Sequence, residues 1–181
     1  MTSKYQTDPA HSSLQFSVRH MMMSNVRGVF TGVHGSVTYD PANPAQSGVE
    51  ATIDVNTINT NDQMRDGHLK TAEFFNVAEF PTMMFRSTKV EKKGDNEFLV
   101  TGDLTLHGVT KPVTLTVDEV SEEGKDMQGK TRIGTSIKAK LRRSDFGLTW
   151  NAVMETGGVI ISDDVKLDFE LELVKAQATA A

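Results

Sequence analysis

Near its C-terminus the chain runs Val165, Leu167, Phe169, Leu171, Leu173 in unbroken alternation with Lys166, Asp168, Glu170 and Glu172. A period of two sends the apolar side chains to one face and the charges to the other, so the stretch is a strand with one dry and one wet face. The pattern recurs upstream. Leu14, Phe16 and Val18 alternate with Ser13, Gln15, Ser17 and Arg19, and Val49, Ala51, Ile53 and Val55 alternate with Glu50, Thr52 and Asp54. Phe98, Val100, Leu104 and Leu106 are in phase with Gly102 between them, then Val113, Leu115 and Val117, then Ile133, Thr135, Ile137, Ala139 and Leu141. A wet face on nearly every strand excludes a doubly covered parallel sheet. About eight such strands, joined mostly by hairpin-length loops, make an antiparallel barrel or sandwich. Alternation does not choose between them, yet the choice matters: an eight-stranded barrel has room for one small ligand, whereas a sandwich fills its interior with its own side chains.

One segment breaks the strand pattern. Over Thr60 to Pro81, Met64, His68, Leu69, Ala72 and Phe75 share one face at helical spacing, opposite most of Arg65, Asp66, Lys70 and Glu73. Thr60 with Gln63 has the form of a capping box, Asp66 and Lys70 have i, i+4 spacing, and Pro81 sets a limit. This predicts a helix that packs on the sheet. Elsewhere, Val26 to Tyr39 reads as a strand bent at Gly28, Gly32 and Gly35. Lys92 to Asn96 and Glu122 to Gly129 read as hairpin loops, His107 to Pro112 as a turn, Arg142 to Gly158 as irregular, and the tail from Ala176 as frayed. Residues 1–175 therefore form one domain and 176–181 a tail.

A net charge of −5 with no Lys/Arg cluster argues against nucleic acid as a partner. With no cysteine there is no disulfide, thiol nucleophile or thiolate metal site. No stretch is long and apolar enough to span a bilayer, so no integral membrane segment is expected. The first residues lack the apolar core of a signal peptide, which places the chain as it stands in the cytoplasm; loss of a leader would place it in the periplasm.

Five segments, HSSLQFSVRH (11–20), VRGVFTGVHGSVTYDP (26–41), INTNDQMRDGHLKTAEFFNVAEFP (58–81), TGDLTLHGVTKPVTL (101–115) and RSDFG (143–147), together resemble the YceI family of lipid-binding, lipocalin-like barrels. They span nearly the whole chain in the family's order. Departures fall at Tyr5, where members often carry tryptophan, and after RSDFG, where Leu148 and Trp150 stand. The resemblance implies an all-β fold, an extended eight-stranded antiparallel barrel with one helix at or beside its mouth. It implies non-enzymatic binding, storage or transport of a long-chain isoprenoid or similar amphiphile, such as ubiquinone, a polyprenol or a polyprenyl phosphate. Dimers are familiar in that family, so a homodimer is a further expectation.

The apolar positions Phe16, Val18, Phe30, Ile53, Phe74, Phe75, Phe85, Leu104, Leu106, Leu115, Ile137, Phe146, Leu167 and Phe169 form either a dry core or the wall of a lipid tunnel. From the residues alone both readings stand, and the resemblance implies the tunnel. His20, Met22, Arg65, His68, Leu69 and Trp150 complete the candidate ligand-binding set, with Arg65 and His68 near the polar end. Each buried isoprene unit contributes on the order of 3 kcal/mol, so the tail would dominate affinity. Met21, Met22 and Met23 together read as a lip through which lipid enters, or else as a partly buried turn or dimer contact. The five histidines lie on separate segments without metal-ligand spacing, so no metal is expected. There is no G-x-S-x-G elbow, P-loop or G-x-G-x-x-G, and RSDFG reads as a capped turn ended by Gly147, so no catalytic residue and no catalytic cofactor is expected. Two alternatives remain: a packed β-domain that binds protein on its outer surface, and a lipid-modifying enzyme.

Overall fold

The structure is a computed structural model and describes residues 2–176. Its strands are β1 (Ser3–Thr7), β2 (Ser13–His20), β3 (Ser24–Phe30), β4 (Val33–Tyr39), β5 (Gly48–Asp54), β6 (Thr82–Lys92), β7 (Phe98–Leu106), β8 (Val109–Asp118), β9 (Gly124–Lys125), β10 (Thr131–Arg142) and β11 (Ile161–Lys175), with one α-helix, α1 (Gln63–Lys70), between β5 and β6. All pairings are antiparallel. β11 lies against β10 from Val174↔Arg132 to Asp164↔Arg142, and on its other edge against β2 and then β1. That second edge closes the sheet into a barrel of eight strands, because β1 with β2 and β3 with β4 each serve as one bent strand.

Short breaks make the bends. Asp8 Oδ1 accepts the Ala10 N–H (3.0 Å) and starts a single 3-10 turn, Pro9–His11, between β1 and β2. Between β3 and β4, Gly32 N–H donates to Thr57 Oγ1 (3.2 Å) instead of to a strand partner. The continuous strand expected over 26–39 is thus two, and β1 is an additional strand that the alternation does not announce. Gly28 is required by crowding: a Cβ there would lie 2.4 Å from the Phe16 ring, which covers it from the paired strand.

One end of the barrel carries the β4–β5, β6–β7 and β8–β10 connections and is packed shut. Tyr5, Ile133 and Leu173 are buried there, Tyr39 stacks edge-on to Phe98 with ring centroids 5.9 Å apart, and Val90, Val100 and Val117 fill the space between. Tyr5 Oη donates to Glu123 Oε1 (2.5 Å), which also accepts from Lys175 Nζ (2.6 Å). Burial, aided by the Glu123 carboxylate, pushes the phenol up to about 12. The β6–β7 hairpin falls at the expected place, and a bulge at Thr88 moves the inward phase from Met83 and Phe85 to Val90. His107–Gly108 alone forms the β7–β8 turn, with both residues at positive φ, so the loop expected through Pro112 is strand.

Arg132 joins the start of β10 to the β1–β2 break. Its Nη1 donates to Asp8 Oδ2 (2.6 Å) and Glu172 Oε1 (2.5 Å), and its Nε donates to Asp126 Oδ2 (2.7 Å). Asp8, His11 and Glu172 bring ligand atoms within 4.8 Å of one another, but the guanidinium occupies the cation's place on the two carboxylates. The Arg132 hydrogen bond first, then His11 and the Ala10 N–H, hold the Asp8 carboxyl well below its ordinary value. A depressed carboxyl stabilises the fold above its unfolded pKa of about 4, and that stabilisation is lost as pH falls further. In Arg132→Met the three carboxylates would repel, so protonation would favour the variant's folded state. The melting-temperature gap between wild type and Arg132→Met is therefore expected to be several degrees at neutral pH and to narrow below about pH 4. Thermal melts across that range test this, and a gap independent of pH would contradict it.

The tail expected to fray begins at Ala176, whose N–H donates to the Lys4 carbonyl (2.8 Å); the rest lies outside the described residues.

Candidate functional site

The other barrel end carries the β2–β3 turn, the whole segment 55–81 and the 143–160 connection, and from it a cavity of about 320 Å³ runs into the barrel. Inward positions of the strands make its wall: Phe16 and Val18 of β2, Phe30 of β3, Ile53 of β5, Phe85 of β6, Leu104 and Leu106 of β7, Leu115 of β8, Ile137 of β10, and Leu167 and Phe169 of β11. Width comes from small side chains. Gly35 lies opposite Ala51, both on the wall, and a Cβ at Gly35 would approach the Glu50 carbonyl to 2.9 Å. None of the residues that shut the far end (Tyr5, Tyr39, Phe98, Ile133, Leu173) reaches the wall, so the cavity is blind.

Segment 55–81 roofs the open end, though with less helix than its spacing predicts. α1 runs only from Gln63 to Lys70, and its N-cap is Asp62, whose Oδ1 accepts the Arg65 N–H (3.0 Å). Thr60 does not pair with Gln63. It is buried, and its N–H and hydroxyl donate to Asp66 Oδ1 (2.9 and 2.6 Å), which takes Asp66 away from Lys70. Arg65 closes the knot by donating from Nε to Thr60 Oγ1 and from Nη2 to the Thr60 carbonyl, both 2.8 Å. After Lys70 the chain makes linked turns, with Asn76 left-handed (φ 47°) accepting the Glu79 and Phe80 N–H groups. These turns drop Phe74 and Phe75 onto the cavity beside Leu69, Arg65 and His68. Met64 points away and is 88% exposed, so it is no part of an apolar helix face.

Three rings meet at the mouth: His68, Phe74 and Trp150, with centroids 5.0 to 5.1 Å apart. Phe75 packs edge-on to Phe30 (5.8 Å), which leans on Phe16 (5.5 Å), extending aromatic contact down the lumen. At this end the wall carries His20, Thr60, Arg65, His68 and Arg143; Thr7, Ser36 and Glu50 are the polar wall residues farther in, on β1, β4 and β5. His68 Nε2 lies 2.5 Å from Glu73 Oε2 at the surface.

Arg143 escapes a reading by sequence pattern. Its side chain is buried, and its Nη1 donates to the Leu148 and Trp150 carbonyls (both 2.8 Å), its Nε to the Ser162 carbonyl (3.0 Å) and its Nη2 to that of Ile161 (3.4 Å). Burial pushes the guanidinium below its ordinary value, opposed by the nearby Asp163. Gly147 ends the 3-10 turn Arg143–Phe146 in a left-handed conformation (φ 74°), as expected of RSDFG. The cap differs from that expectation: the Ser144 N–H and hydroxyl donate to Asp163, and neither Ser144 nor Asp145 caps the turn.

Two candidate residues lie off the wall. Phe146 is buried in the core beside the β7–β8 turn, where His107 Nδ1 sits 3.2 Å from its carbonyl. Met22 is 64% exposed at the tip of the β2–β3 turn. The structure brings the other candidates together on one surface, and adds Leu14, Val33, Met83, Leu141 and Leu171 from the strands and Leu148 and Ile160 from the β10–β11 connection.

An antiparallel barrel shut at one end and hollow and apolar from the other belongs to the class of small barrels built around a ligand-sized interior. The profile of the YceI-like domain matches residues 5–173, and the chain belongs to that family. It is similar to Protein YceI of Salmonella newport, 41% identical over 146 residues, covering 81% of this chain and 75% of the relative. Among solved structures it resembles BcnA of Burkholderia cenocepacia (TM-score 0.80, 26% identity, 92% and 98% of the two chains) and the Campylobacter jejuni YceI protein (0.74, 32%, 88% and 90%). The fold is shared with a polyisoprenoid binding domain from Saccharophagus degradans implicated in plant cell wall breakdown (0.69, 19% identity, 97% and 100%). No helix among the described residues is long and apolar enough to cross a membrane.

Proposed function

We propose that this protein holds one long-chain isoprenoid or similar amphiphile in its lumen, tail toward the Tyr5–Tyr39–Phe98 end and head group at the mouth, and acts as a carrier or store without chemistry on the ligand. One observation carries the reading: a continuous cavity walled almost wholly by apolar side chains, with His20, Thr60, Arg65, His68 and Arg143 at its open end, while of the polar residues farther in Glu50 pairs with Arg86 at the surface and the Thr7 hydroxyl is held by the Val33 and Gly35 backbone. An amphiphile has that same distribution. The polyisoprenoid binding named for the Saccharophagus domain of the same fold supports the ligand class. Arg65 and Arg143 are already committed to protein oxygens, which suits them to shape a head-group site more than to move protons.

Extraction of the purified protein with organic solvent, followed by mass spectrometry, is expected to release a lipid with a long apolar tail. Trp150 is the sole tryptophan and stands at the mouth, so titration of delipidated protein with ubiquinone is expected to quench its emission saturably. No lipid on extraction together with no uptake of ubiquinone or a prenol would refute the proposal. Chemical change of the ligand on incubation would replace the carrier with an enzyme.

A further inference from the structure

The β2–β3 turn is built against its residues' preferences. Within the three-residue connection between the paired His20 and Ser24, Met23 N–H donates to the His20 carbonyl (3.0 Å), closing a β-turn whose central residues Met21 (φ 51°) and Met22 (φ 58°) are both left-handed. Turns of this type favour Asn-Gly, because a side chain such as methionine is strained at positive φ. The strained turn puts apolar groups into solvent: Met21, Met22 and Met23 are 38, 64 and 78% exposed. Beside it runs a second loop, linked by Met21 N–H donating to the Ile160 carbonyl (2.7 Å). That loop folds back through the Val153↔Val159 bridge and exposes both valines. His20, Trp150 and Ile160, immediately adjoining these two tips, line the cavity, so the apolar patch is a rim of the mouth.

Charge behind the rim is also unusual for an acidic chain. No Asp or Glu occurs between Asp8 and Asp40, and Arg19 and Arg27 are exposed on the outer face of β2 and β3 with no ion pair among the described residues, Arg19 Nη2 donating to the Met22 carbonyl of the turn (2.9 Å). The register continues this face across the sheet, Arg27 beside Ser17, Ser17 beside Lys166, and Lys166 beside Lys140. Lys140 is paired with Asp164, Asp163 with Arg142 and Glu73 with His68; Asp168 follows Lys166 on the same face farther from the tip, and Glu155 is the acid within the 153–159 loop. The row stands four residues from Met21, roughly 13 Å below the tip.

We propose that the Met21–Met23 turn and the neighbouring 153–159 loop dock on the surface of an anionic lipid bilayer, with the basic row of β3, β2 and β11 facing the head groups and the cavity mouth opening at the membrane. Exposed flexible methionines enter the interfacial layer, and cations a short distance behind an apolar edge strengthen attachment to anionic lipid. The strain at Met21 and Met22 is consistent with a turn kept for what it presents. The inference rests on the carrier reading only for its purpose, the exchange of ligand with a membrane.

The test is co-sedimentation of the full chain with phosphatidylcholine vesicles, with and without phosphatidylglycerol, at low and high salt. Binding is expected to need phosphatidylglycerol and to weaken with salt. It should fall roughly tenfold or more in Arg19→Gln/Arg27→Gln, and likewise in Met21→Asn/Met22→Gly. The second pair suits the turn, so its melting temperature should not fall, and lost binding is not lost folding. Wild type that stays in solution with anionic vesicles overturns the proposal. So does equal binding by the variants, or a methionine-dependent self-association in place of vesicle binding. Extraction of the same preparations separates the two readings: bound lipid without vesicle binding removes docking alone, and vesicle binding without any lipid uptake removes the carrier and leaves docking.

Discussion

Arg143→Leu is expected to destabilise the protein by at least about 3 kcal/mol and to release the loop that carries Trp150. The guanidinium is the shared partner of four carbonyls, those of Leu148, Trp150, Ile161 and Ser162, which belong to two runs of chain with the 151–160 loop between them. Leucine would fill much of the volume but donate nothing. Each orphaned buried carbonyl costs about 1–3 kcal/mol, and water entering from the cavity mouth would keep the total below the full sum. The loop would then be tied by Asn151, through its contacts with the Ile161 backbone, and by the Met21 N–H on the Ile160 carbonyl. Arg143→Lys should recover only part of the loss, since an ammonium cannot span carbonyls set out for a planar fork. Urea denaturation gives the stability, and Trp150 emission should shift to the red as its ring leaves His68 and Phe74. A loss below about 1 kcal/mol with unchanged emission would mean that the carbonyls find other donors.

Arg143 also marks where a pattern reading stops. An arginine between two strands scores as surface, and nothing local distinguishes it from Arg142, which is exposed and pairs with Asp163. Its burial is decided by carbonyls up to 19 residues away, which no spacing rule brings into view. The strand walls are the opposite case. Phe16, Ile53, Leu104, Ile137 and Leu167 could be placed because a period of two fixes the face of each side chain once one is known, and closure of the sheet turns all those faces to one axis. A local break in that period shifts the face, as at Thr88, where one extra residue moves the inward series to Val90.

The roof was legible in kind but not in extent. Apolar residues at helical spacing from Met64 to Phe75 predict a longer helix than forms. Two tertiary demands outweigh that spacing: Thr60 is drawn into the core with Asp66 as its partner, and Phe74 and Phe75 both have to reach the cavity, which successive helical positions about 100° apart would prevent. β1 escaped for a different reason. Within Ser3–Thr7 only Tyr5 is apolar, and its pairing with β4 and β11 is set by partners from both ends of the chain.

Ala51→Trp is expected to leave the barrel folded and to weaken isoprenoid binding roughly a hundredfold. Ala51 sits midway along β5, facing the lumen between Gly35 and Phe85, and the small side chains at 35 and 51 give the cavity its width there. An indole at that depth would fill space a ligand tail must cross, so the tail would stop short of the closed end. Excluding one isoprene unit forfeits on the order of 3 kcal/mol of apolar burial, about two decades in the dissociation constant. The barrel should tolerate the change because the new ring enters an existing void, unlike Gly28→Val, whose side chain would meet the Phe16 ring. The dependence on tail length carries the argument: quenching of Trp150 is read more cleanly here with the added indole replaced by phenylalanine, and Ala51→Phe should discriminate against long prenols while a short prenol binds nearly as in wild type. Equal weakening of short and long prenols would place the tail elsewhere than along the β5 wall, and unchanged affinity for both would put the ligand outside the lumen.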